Sequence, residues 1–83
     1  MMQIGRARTA KSYIDQNYFK CFDGRLEKKI GIVPYHIYYD PVNEKLTYSI
    51  ESGKEEPRTM GKLLFQRIYD DEKTRLFKLG AIK

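Results

Sequence analysis

The most regular alternation of apolar and polar positions runs through residues 30–51. Leu46, Tyr48 and Ile50 alternate with Lys45, Thr47, Ser49 and Glu51, the period-two pattern of a strand with one face in a core. Upstream, Ile30 to Tyr39 is rich in β-branched and aromatic side chains, and the odd positions Val33, Tyr35, Ile37 and Tyr39 form its better apolar set. Between the two runs, Asp40-Pro41-Val42-Asn43-Glu44 is turn chemistry: Asp suits the first position and Pro presets φ at the second. The pattern predicts an antiparallel β-hairpin with strands over about 30–39 and 45–51. Matching the apolar faces pairs Ile37 with Tyr48 and Tyr39 with Leu46, because a one-residue slip would send the apolar set to solvent. That register leaves His36 beside Ser49 and Tyr38 beside Thr47 on the opposite face. Pro34 has no N–H to give, so its end of the strand is an edge or a bulge.

Before the hairpin, Ser12-Tyr13-Ile14-Asp15 has the form of a capping box, and Ile14, Tyr18, Cys21 and Phe22 fall on one helical face. With Asp23-Gly24 as a stop, these signals predict a helix of about ten residues beginning at Ser12. After the hairpin, Met60, Leu64 and Ile68 are spaced by four, and Glu55-Glu56-Pro57 supplies acids and an early proline. A second helix is expected over about 57–69. Gly61 opposes it by up to ~1 kcal/mol. A rival reading makes Leu63–Tyr69 and Arg75–Leu79 a second hairpin about Asp70-Asp71-Glu72-Lys73. Either reading places a short strand at 74–79 and a solvated turn at the acidic triplet. Residues 1–11 lack an apolar period and read as a basic flexible arm ahead of a single α+β domain over 12–83.

Composition narrows the class. The chain has 83 residues, 41% apolar and 33% charged, with seven Tyr and four Phe, too aromatic for a disordered chain and too short for two cores. One cysteine excludes an internal disulfide framework, and one His with one Cys makes no familiar metal cluster, so neither metal nor cofactor is expected. The scattered glycines form no P-loop and no dinucleotide fingerprint. No apolar run approaches the roughly 18–20 residues that span a bilayer, and the start lacks a signal-peptide stretch; a cytoplasmic location without membrane partners is expected.

Charge changes the picture most. The formal net charge is +5, and it is uneven. Residues 1–29 carry seven Lys/Arg against three Asp/Glu, residues 30–56 two against five, and residues 57–83 seven against three. If cations from both ends gather on one side, away from the hairpin carboxylates, they attract phosphate polyanions. The leading expectation is therefore a small, non-enzymatic, regulatory nucleic-acid-binding protein. Arg6, Arg8, Lys11, Lys20, Arg25, Lys28 and Lys29 are its candidate phosphate contacts, and His36 and Tyr38 its base or partner contacts, on DNA or RNA. An alternative is a protein-interaction module, an inhibitor or adaptor, docking through the aromatic sheet face or an edge strand. A second alternative is a small ribonuclease using His36 as general acid–base, with the 2′-hydroxyl of RNA as nucleophile. An edge strand on a small core also admits a homodimer. Cys21, on the apolar face of the expected helix, reads as a buried thiol.

Overall fold

The computed structural model describes residues 9–32, 34–53 and 58–83. Its two longest strands, β3 (Tyr35–Asp40) and β4 (Lys45–Ile50), form the hairpin that the alternation predicts. Tyr35 lies opposite Ile50, Ile37 opposite Tyr48 and Tyr39 opposite Leu46, the register that matches the apolar faces. The turn is fixed by Asp40, whose Oδ1 accepts from the N–H groups of Val42 and Asn43 at 2.9 and 3.3 Å. Such Asx geometry is why Asp opens turns. The first strand begins at Tyr35 rather than near Ile30. Pro34 marks that boundary: its carbonyl accepts from Glu51 N–H at 2.8 Å and it has no N–H to return.

Two short strands, β1 (Tyr18–Lys20) and β2 (Leu26–Lys28), extend the sheet, which is antiparallel throughout with order β1-β2-β3-β4. Before them stands α1 (Ala10–Asn17), and after the hairpin α2 (Thr59–Leu79). The architecture is α+β. Both helices pack on one side of the sheet, its inner face. There Tyr35, Ile37, Tyr39 and Leu46 meet Phe65 and Leu76 of α2, together with Tyr13, Tyr18, Ala81 and Ile82. The Tyr35 and Phe65 rings stack with centroids 4.0 Å apart. Two phenols tie helix to sheet through the main chain: Tyr69 donates to Leu46 O and Tyr39 to Ala81 O, each at 2.8 Å.

Four expectations are corrected. The first helix begins at Ala10 and is capped by Thr9, whose Oγ1 accepts from Ser12 N–H. Ser12 is therefore inside the helix and is no cap. That helix ends at Asn17, and Tyr18 to Lys20 is a strand, with Cys21 to Arg25 turning back into β2; Gly24 sits at φ +93° in that turn. The second helix runs to Leu79, so residues 74–79 are helical and no terminal strand forms there. Gly80 then adopts φ +82° and closes the helix with N–H bonds to Leu76 O and Phe77 O. Finally, Asp70-Asp71-Glu72 is helical rather than a turn, and Glu72 is 1% exposed. Of the expected arm, residues 1–8 lie outside the described residues, while Thr9 to Lys11 belong to α1 and its cap.

Candidate functional site

An antiparallel sheet packed on one side exposes the other. Side-chain alternation assigns Phe19, Glu27, His36, Tyr38, Thr47 and Ser49 to this outer face. Phe19, Glu27, Tyr38 and Thr47 form one cross-strand row, and His36 lies beside Ser49 in the next. No described element covers it: Phe19 is 43% exposed, and Thr47 and Ser49 are exposed. From the β1–β2 turn, Arg25 lays its guanidinium over the Tyr38 ring, 4.0 Å from the centroid, a contact worth ~0.5–1 kcal/mol on a surface. Asp23 orients that guanidinium through a 2.9 Å bond from Nε and a 2.8 Å contact with Nη2.

His36 stands beside Tyr38, the two rings stacked at 6.2 Å. Its Nδ1 lies 2.6 Å from Glu27 Oε2, and its Nε2 lies 3.5 Å from Glu51 Oε1. The hydrogen bond to Glu27 holds the imidazole pKa above its ordinary value against partial burial, and the charges of Glu27 and Glu51 add to it. Both ring nitrogens thus face carboxylates, the closer at Nδ1. Cys21 is half-buried, its Sγ 3.9 Å from Glu27 Oε1. Desolvation and the Glu27 charge raise its pKa, keeping it a thiol.

Of the expected phosphate contacts, the five within the described residues are not gathered on one face. Arg6 and Arg8 lie outside the described residues. Lys11 pairs with Asp15 at 2.9 Å and Arg25 with Asp23. Lys28 turns inward, where its side chain is 13% exposed and its Nζ lies 3.4 Å from Glu72 Oε1 and 3.1 Å from Tyr13 Oη. Lys20 shares the inner-face row with Leu26, Tyr39 and Leu46, on the side opposite Arg25. Lys29, just past β2, is exposed. Interleaved with the outer-face cations Arg25 and Lys45 are Asp23, Glu27, Asp40 and Glu51. With four carboxylates against two cations and His36, the face carries no excess of positive charge.

The cluster that holds Lys28 went unread in the sequence. Tyr13 of α1, Tyr18 of β1, Lys28 of β2 and Arg75 of α2 converge on the buried Glu72 carboxylate. Tyr13 Oη donates to it at 2.7 Å, Tyr18 Oη at 2.7 Å and Arg75 Nη1 at 2.8 Å. Burial, then the hydrogen bond and charge of Glu72, push the Tyr18 phenol well above its ordinary range. A carboxylate this buried persists only with such compensation. Among the described residues, no group of three or more His, Cys, Asp or Glu side chains is placed to hold a metal ion, and no helix is long and apolar enough to cross a membrane. Compared with known proteins, the chain matches no family model, no curated sequence and no solved structure.

Proposed function

We propose that this protein is a non-enzymatic interaction module that docks a protein partner on the outer face of its sheet. One observation carries the reading: a face that no described element covers, presenting Phe19, Tyr38 and the Arg25 guanidinium without an excess of cations. Aromatic side chains and Arg are the types that dominate protein–protein hot spots. Phosphate polyanions need an excess of unpaired cations instead. The Arg25–Tyr38 stack also limits the rotamer freedom lost on docking, a pre-organisation that favours affinity. The charges at its rim give such a face specificity more than raw affinity.

The test is a photo-crosslinking amino acid at Thr47, next to Tyr38 on the edge strand of the face, with a control at Thr74 on the exposed side of α2. In the native cells, Thr47 should yield a protease-sensitive adduct that Tyr38→Ala abolishes. A nuclease-sensitive adduct, or equal products from both positions, would overturn the reading.

A further inference from the structure

The sheet has two edges, and they differ. β1 pairs over three residues, whereas β4 pairs over six with no proline, glycine or bulge. A regular edge of that kind is a template for another strand. One hydrogen bond shows which backbone groups face outward. Because Glu51 N–H donates to Pro34 O, the alternation of antiparallel pairs turns the N–H and C=O groups of Lys45, Thr47 and Ser49 toward β3. Those of Leu46, Tyr48 and Ile50 point away from β3, to a side where no described strand lies. The Tyr69 hydroxyl, bonded to Leu46 O, takes one lone pair of an outward carbonyl and leaves the other. These same three residues carry the apolar side chains of the strand. Tyr48 and Ile50 remain 52% and 39% exposed because the sheet stops beside them.

We propose that β4 pairs antiparallel with β4 of a second copy, about a two-fold axis at Tyr48, to make one eight-stranded sheet. In this register Tyr48 meets Tyr48 and Leu46 meets Ile50 on the inner face, while Thr47 meets Ser49 and Lys45 meets Glu51 on the outer. The outward donors at 46, 48 and 50 then find the outward acceptors at 50, 48 and 46. A two-residue slip breaks the Lys45–Glu51 match and sets Ile50 against Glu44, or Leu46 against Ser52. A one-residue slip sets apolar against polar side chains. The strand is thus complementary to itself, in charge as well as apolarity, and that selects a second copy over a foreign strand. Symmetric pairing of this type is isologous and closed, so it stops at the dimer. The inference is independent of what docks on the outer face, which it would double into one continuous surface.

An interface built on six residues is smaller than a standard one, so dimerisation should depend on concentration. Sedimentation velocity from about 1 μM to about 1 mM should show the mass move from one chain toward two, with a midpoint in the micromolar range. Ile50→Pro removes only an outward N–H and should leave a folded monomer. Lys45→Glu, which sets two acids against each other twice per dimer, should weaken association by about 3–10-fold, and adding Glu51→Lys should restore it. In a Cys21→Ser background, Tyr48→Cys should oxidise to a covalent dimer and Thr47→Cys should not. A monomer throughout the range, a dimer indifferent to both Ile50→Pro and Lys45→Glu, or crosslinking at 47 rather than 48 would overturn the proposal.

Discussion

His36 shows how a single titratable residue changes meaning once its neighbours are known. Alone in the sequence it is a candidate acid–base group. In the fold it bridges β2 to the end of β4, its Nδ1 on Glu27 and its Nε2 toward Glu51. Because its pKa is raised in the folded state, the protonated ring stabilises the fold. That contribution is complete below the unfolded value of about 6.5 and is lost as pH rises through the higher folded value. The urea midpoint should therefore fall between pH 6 and pH 8, and His36→Gln should flatten the profile while costing less than ~1 kcal/mol at pH 6. An unchanged slope in the variant would assign the pH dependence elsewhere. Arg25 and Tyr38 are a similar case: thirteen positions apart in the chain, they become one contact because β2 pairs with β3 and sets Glu27 opposite Tyr38.

At the scale of elements, the β3–β4 hairpin was legible because three signals agreed: alternation, turn chemistry and a register with one apolar solution. The β1–β2 hairpin was not. Its strands are three residues long, and Tyr18, Cys21 and Phe22 fit a helical period as well as a strand. The second helix was legible in kind but not in length. No Gly or Pro interrupts residues 62–79, yet Glu72 occupies the place in the buried stripe where an apolar residue is sought. The stripe runs through Phe65, Ile68, Glu72, Leu76 and Leu79, whereas Met60 and Leu64, which suggested the helix, are 78% and 51% exposed. Glu72 also ties α1, β1 and β2 to α2, so its loss is felt by four elements at once. Glu72→Ala leaves Lys28 and two phenols without their acceptor and should cost about 3–5 kcal/mol in urea unfolding, against about 1–2 kcal/mol for Glu72→Gln. Equal costs would mean that the side chain acts by volume alone.

For the whole molecule, charge counted along the chain does not give the charge of any one face. The basic–acidic–basic order is real, but folding interleaves it: Lys11 meets Asp15, Arg25 meets Asp23, and Lys28 leaves the surface for Glu72. At the chain end, Lys83 pairs with Glu44. Net charge governs solubility and long-range attraction, whereas a binding face depends on which charges share it. What could be read in advance of the site was its aromatic centre, since the predicted register already turned His36 and Tyr38 away from the core. Its electrostatics could not be read, because Asp23, Glu27 and Glu51 reach the face from three different segments. The most direct measurement is paramagnetic relaxation of amide protons by a paired cationic and anionic cosolute. The account predicts strong relaxation at Phe19, Tyr38 and Thr47, no greater with the anionic than with the cationic probe, and weak relaxation at Ile37 and Leu76. Marked enrichment of the anionic probe over Phe19, Tyr38 and Thr47, or relaxation there no stronger than in the core, would contradict it.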